Sequence, residues 1–206
     1  MKKILITLFA FSLLFISCKN ATTAESTNNT STTTSTSDTV NNTQSLDLLI
    51  TKANGNLLGG FNLQPIKIVS NGKNFTYKAK PNKHKFYTNG QMKYEVKFKE
   101  ESLKLRDKNS NLLWKVKIYP DKIKISDNEE NTNAFVIKPY ENKIKVKKNE
   151  EELYKVKIDG TTISVNDKDS FQLSSTQENY TLALLAINEI PDEHKLFLLA
   201  ELLNKL

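Results

Sequence analysis

A repeat of about twenty residues constrains the fold of this chain more than any single motif. "YEVK" begins at Tyr94, "WKVK" at Trp114, "FVIK" at Phe135 and "YKVK" at Tyr154. Nine positions after each aromatic stands an apolar residue, Leu103, Ile123, Ile144 or Ile163, and two further on comes Leu105, Ile125, Val146 or Val165. Two beyond those are Asp107, Asp127, Lys148 and Asp167, so only the third unit breaks the acidic position. Upstream, Tyr77 with Phe86 fits loosely, and Leu57 with Ile66 and Ile68 more loosely, which extends the repeat to as many as six units.

Each unit alternates apolar and polar residues with period two on both sides of a short break, the pattern of strand, tight turn, strand. With the turn at Tyr119-Pro120 in one unit and Asp159-Gly160 in another, Trp114 faces Ile125 and Val116 faces Ile123. Directly opposed antiparallel residues project to the same face, so the apolar residues of each hairpin gather on one side. Asp-Gly suits a two-residue turn because its backbone accepts positive φ. The connecting loop "DKNSNL" preserves the parity, bringing Leu105 opposite Trp114 and Leu103 opposite Val116. The same arithmetic joins Ile125 to Phe135 and Val146 to Tyr154. The expected fold is therefore mainly β, a continuous antiparallel meander with one apolar face. Its other face carries Lys97, Lys104, Arg106, Lys115, Lys117, Lys122, Lys124, Lys145, Lys155 and Lys157.

A meander with one apolar face must close on itself or be covered. The tail from about residue 178 to 206 supplies a cover, because Leu182, Leu184, Leu185 and Ile187 form one apolar run and Leu196, Phe197, Leu198, Leu199, Leu202 and Leu203 another. Pro191 with Asp192 and Glu193 suits the first turn of a helix, where a missing N–H is harmless and acidic groups meet the positive end of the dipole. Charged residues at the middle of the tail argue against a membrane span. The expectation is a closed or nearly closed barrel around buried C-terminal helices, and a flatter sheet covered by a helical hairpin stays open. Repeats such as "YEVKFKEESLKLRDKNSNLLWKVK", followed by an apolar C-terminal helix, resemble the tubby-like barrel of LURP-one-related and scramblase-related proteins. The resemblance spans about residues 57–206 and implies some twelve strands wrapped around the last helix. It also implies a lipid- or membrane-surface-binding module, with no phosphoinositide motif to carry over residue by residue.

The N-terminus, "MKKILITLFAFSLLFISCKN", has a positive start, an apolar run from Ile4 to Ile16, then Ser17-Cys18. That layout is a secretory signal over residues 1–17, and the run is shorter than the ~20 residues of a spanning helix. A small residue before the only cysteine resembles the lipobox of bacterial lipoproteins, which implies acylation of Cys18 and attachment to a membrane. A lone cysteine here has no disulfide or metal partner, which favours the anchor over an incidental residue. Residues 18–45 are then rich in Thr, Ser and Asn and read as a tether, leaving 46–206 as one folded domain. Asp38-Thr39-Val40 resembles a short O-glycosylation sequence, with Thr39 as acceptor. Lys19-Asn20-Ala21 lacks the acidic residues of other sorting signals and points to the outer membrane, facing the periplasm.

The formal charge of +7 implies attraction to anionic lipid, lipopolysaccharide or peptidoglycan, whereas nucleic acid is not an expected partner outside the cytoplasm. Lysines on exposed strands also suppress edge aggregation, which alone accounts for them. Few aromatics interrupt the outward positions, which argues against stacking on sugars. No catalytic constellation, cofactor motif or metal site is expected. His84 and His194 stand far apart and read as solvated, and Glu189, Asp192, Glu193 and Glu201 read as polar helix positions. "SDNEENTN" lacks the glycine and alternation of a calcium loop and reads as a turn between hairpins, as "SNGK" reads as a hairpin turn. The chain reads as a non-catalytic, lipid-anchored envelope protein.

Overall fold

The computed structural model describes residues 46–206. Fourteen strands follow in order: β1 Leu48–Lys52, β2 Leu57–Leu63, β3 Ile66–Ser70, β4 Lys73–Lys80, β5 Lys83–Thr88, β6 Gln91–Lys99 and β7 Ser102–Asp107. Then come β8 Leu112–Tyr119, β9 Lys122–Ser126, β10 Phe135–Tyr140, β11 Lys143–Lys148, β12 Glu151–Asp159, β13 Thr162–Val165 and β14 Lys168–Leu173. A 3-10 segment, Tyr180–Ala186, and one helix, α1 Asp192–Lys205, complete the chain. Each strand pairs antiparallel with the next, and β1 pairs with β14, closing the barrel. The meander thus closes fully, with two more strands than the tubby-like resemblance implies.

Closure puts the inward residues of the repeat in or against the core: Val96, Leu103, Leu105, Val116, Ile123, Ile125, Ile137, Val146, Val156 and Ile163 are fully buried, and Tyr94, Tyr154 and Val165 are partly buried against them. A barrel that spans a membrane carries an apolar band outside; here the apolar face is inside and lysines line the outside. The links between units follow the expected register, with Leu105 opposite Trp114, Phe135 opposite Ile125 and Val146 opposite Tyr154. Within the hairpins the register differs. Val116 pairs with Ile125 and Ile118 with Ile123, so the turn is Pro120-Asp121, one residue later than Tyr119-Pro120. Likewise Asp159 pairs with Thr162, moving that turn to Gly160-Thr161. Moving a turn by one residue shifts each partner by two, and a shift of two keeps every side chain on its face.

The two rims are built differently. The upper rim holds the turns that lead from odd to even strands, and the lower rim holds the others. Upper turns Asn71-Gly72, Asn89-Gly90, Asn149-Glu150 and Asn166-Asp167 have both central residues at positive φ, the primed geometry that matches strand twist. All five register shifts between neighbouring strands also fall in upper hairpins. In three of them the unpaired residue is Lys93, Leu113 or Leu153, immediately before Tyr94, Trp114 or Tyr154. A bulge re-aims the side chain beside it, and these three aromatics turn toward the upper mouth of the lumen.

The tail fills that lumen as a hairpin. It enters at the lower rim, where the Gln177 N–H donates to the Gly160 carbonyl, and climbs through the 3-10 segment against β10, β11 and β12. It reverses at Ile187–Pro191 and descends as α1 against β2 and β3. The first run is therefore a 3-10 helix and not an α-helix, and Pro191 caps α1 with extended backbone angles instead of lying in its first turn. α1 approaches β2 closely because Gly59 lacks a side chain. A Cβ there would collide with the Val69 carbonyl and the Leu196 side chain, and its φ of +143° suits glycine. Phe197 seats the helix among Phe75, Phe86 and Tyr94, with ring centroids 5.1, 4.8 and 4.7 Å away.

Candidate functional site

Polar residues of a helix inside a closed barrel need partners, because an unpaired buried polar group is costly. α1 finds them on the barrel wall. At the upper mouth Lys52 donates to Asp192 (2.5 Å), the Tyr94 hydroxyl to Glu193 (2.6 Å), and the Trp114 indole N–H to Nδ1 of His194 (3.1 Å). Lys195 is buried and donates to the Leu185 carbonyl at 3.0 Å, tying α1 to the 3-10 segment. Near the lower rim Nδ1 of His84 meets Glu201 at 2.8 Å, with the imidazole edge-on to Tyr77 and Phe98. These contacts overturn the expectation of solvated histidines, and that of a solvated Glu201, whose side chain is only 1% exposed. Each pair between α1 and the barrel wall joins residues 80 to 140 positions apart, a separation that carries no local sequence signal.

Burial sets the titration of this interior. It raises the Glu201 carboxyl, with His84 opposing, and lowers His194, with Glu193 opposing. Burial also lowers Lys195 against the pull of Asp192, and together with the Glu193 hydrogen bond it raises the Tyr94 phenol. Each group is engaged by a wall or tail partner, so the lumen is a pinned core.

The outer wall gathers all ten basic positions anticipated from the repeat, from Lys97 on β6 to Lys157 on β12. Cross-strand pairing arranges them in rows of like charge, and like charges directly opposite one another repel. One row runs Lys83, Lys97, Lys104, Lys115 across β5 to β8. Two acids answer it. Glu95, on β6, lies 3.2 Å from Lys83 and 3.3 Å from Lys97. Glu129 reaches over from the β9–β10 loop to Lys104 (2.5 Å) and Arg106 (2.6 Å), while Lys115 donates to its backbone carbonyl. Burial pushes the Glu95 carboxyl up, but Lys83 and Lys97 more than reverse this and hold it below the usual range. The Lys104 hydrogen bond, with Arg106 beside it, does the same for Glu129. The loop "SDNEENTN" is thus a turn between hairpins, as expected, and its Glu129 serves the lysine wall.

A second row, Lys138, Lys145, Lys155, is answered by Asp121 at 2.6 Å from Lys138, Glu152 at 2.5 Å from Lys145, and Asp167. Asp121 also lies 3.7 Å from Lys122, and Asp167 lies 3.2 Å from Lys157.

The third row differs. Lys117 opposes Lys124, Lys124 opposes Val136, Val136 opposes Lys147, and Lys147 opposes Glu152, whose carboxylate turns to Lys145. Among the described residues none of Lys117, Lys124 and Lys147 forms a salt bridge. Val136 is the short member of the row because the third repeat unit reads "FVIK", where its neighbours read "WKVK" and "YKVK". Ala134 and Val136 form the floor of a groove of about 380 Å³ between lysines of β9 and β11. Its far end is Tyr140, 45% exposed, with the Lys145 ammonium 5.5 Å from the ring centroid. Tyr119 also stands outside, beneath Lys122 and Lys124, so aromatics do interrupt this part of the wall. At the other end lie Glu150 and Asn131, the latter with its Oδ1 closed off from solvent and without a hydrogen-bond partner.

Among the described residues no group of three His, Cys, Asp or Glu side chains is placed to hold a metal ion. The anticipated lipidation and glycosylation positions, Cys18 and Thr39, lie outside the described residues. Fold and wall together define a closed fourteen-stranded meander barrel, filled by its own tail and basic outside. No protein-family model, curated protein or solved structure matches the chain.

Proposed function

We propose that this chain is a non-catalytic binding protein of the cell envelope, anchored at the outer membrane through an acylated Cys18, whose barrel wall engages an anionic partner. The observation that carries this reading is the third lysine row. Two rows of opposed cations are engaged by acids of the chain itself, whereas the opposed Lys117 and Lys124 form no salt bridge among the described residues, and Glu152 opposite Lys147 is drawn to Lys145. Opposed like charges cost stability, and a ligand that supplies the missing anion offsets that cost.

The test uses the full chain carrying Cys18→Ala, so that an acyl chain does not mask the wall. It is titrated with a soluble polyanion and co-sedimented with vesicles of anionic or zwitterionic phospholipid at low and high salt. Binding of an anionic probe that weakens as salt screens the lysines is expected. No binding of any anionic probe at low salt would refute the proposal. Vesicle binding alone would favour the lipid-surface module implied by the tubby-like resemblance. Palmitate labelling of the unmodified chain against Cys18→Ala tests the anchor, and equal labelling would remove it.

A further inference from the structure

We infer that the groove over β10 is a binding site for an acidic glycan chain, one whose sugars carry carboxylate groups. The inference rests on the proposed binding role of the basic wall and names what the wall takes.

Two properties of the groove point to this chemistry. Its flanks carry the ammonium groups of Lys124 and Lys147, which form no salt bridge among the described residues and are cross-strand neighbours of Val136 on either side. They stand on opposite flanks at the level of Val136, so one carboxylate of a chain lying along β10 would meet both. At one end an exposed tyrosine ring presents a face, and sugar rings stack their apolar faces on aromatic side chains with the phenol still in water. The other end is closed by Asn131, Asn149 and Glu150, whose carboxylate limits how far an acidic chain extends that way.

Shape agrees with chemistry. The groove follows the outward residues of one strand from Ala134 to Tyr140, about 20 Å at the rise of a strand, and is concave. A chain lies in such a trough, whereas a flat membrane surface would rest on its lysine rims. The volume falls within the roughly 300–1,000 Å³ of sites that take small ligands.

The full chain carrying Cys18→Ala is titrated calorimetrically with oligogalacturonate. Polyglutamate of equal charge and vesicles of anionic phospholipid serve as competing probes. The decisive variant is Val136→Lys, which adds a positive charge while filling the groove floor. It restores the residue that two other repeat units carry at this outward position, so the strand accommodates it. Oligogalacturonate is expected to bind more tightly than polyglutamate and to lose about tenfold in affinity, roughly one good contact, in Val136→Lys. Tyr140→Ser is expected to weaken the glycan by a similar factor and to leave polyglutamate unchanged. Tighter glycan binding by Val136→Lys would overturn the groove, since charge alone would then decide. Polyglutamate or vesicle binding without glycan binding would overturn the glycan while leaving the basic-wall reading intact. Silence toward all three probes would overturn both.

Discussion

Inside and outside, this barrel handles charge in opposite ways. In the lumen Asp192, Glu193, His194, Lys195 and Glu201 each meet a partner on the wall or on the tail, and all come from one helix. On the outer wall charges come from many strands in rows rich in one sign; acids engage two rows, and in the third the opposed Lys117 and Lys124 form no salt bridge among the described residues. The difference follows from solvent. Water tolerates an unpaired ammonium on the surface, but the lumen does not tolerate an unpaired carboxylate. An unanswered charge inside would threaten the fold, whereas outside it is available for binding.

Removing the lumen's contents is the strongest way to break the comparison. Truncation before Asp192 takes away Leu196, Phe197, Leu198, Leu199 and Leu202, each worth about 1.5–3 kcal/mol of burial. The expected result is loss of the cooperative thermal transition in circular dichroism. Next is the pair at the lower rim. His84→Ala leaves Glu201 buried without its partner, and chemical denaturation is expected to register a loss of about 3 kcal/mol. Because burial raises the Glu201 carboxyl, its protonated form is favoured in the folded state. The contribution of this group is thus greatest below about pH 4.5 and is lost as pH rises through the folded value. The deficit of His84→Ala should accordingly shrink in acid; a deficit constant with pH would contradict the pairing.

The upper mouth offers a smaller, optical test. Trp114 is the only tryptophan, and its indole donates to His194. Burial lowers the His194 value below 6.5, so stability from this group is present above pH 6.5 and is lost as pH falls through the folded value. Trp114 fluorescence should titrate below pH 6.5 and cease to do so in His194→Gln, whose side-chain oxygen still accepts the indole N–H. The smallest effect is expected outside. Glu129→Gln should cost less than about 1 kcal/mol, because its partners are surface charges. It should also strengthen polyanion binding by freeing Lys104 and Arg106, a gain measurable by calorimetry.

What the sequence made legible divides along the same line. The twenty-residue spacing of Tyr94, Trp114, Phe135 and Tyr154 implied the meander, its single apolar face and its basic outer face, because period-two alternation is local. It did not place the hairpin turns, since Tyr119-Pro120 and Pro120-Asp121 leave every side chain on the same face and only twist and turn geometry choose between them. Nor did it reveal the bulges at Lys93, Leu113 and Leu153, which explain why an aromatic opens so many units. The pairs His84–Glu201 and Trp114–His194 were hidden because their partners are distant in sequence. A signal was present, however, in polar residues on a helix read as buried all round. Val136 was visible in "FVIK", yet its meaning as a groove floor needed Lys124 and Lys147 placed on either side.

The most direct test of the account compares two charge-matched double variants for binding of oligogalacturonate by the full chain carrying Cys18→Ala. Lys124→Gln with Lys147→Gln removes two ammonium groups outside any salt bridge of the described residues, and Lys104→Gln with Lys115→Gln removes two that Glu129 already engages. The account predicts a loss of about tenfold or more for the first pair and little change for the second, since each is one strong contact or none. Equal losses would mean that net charge alone governs binding, and would contradict it.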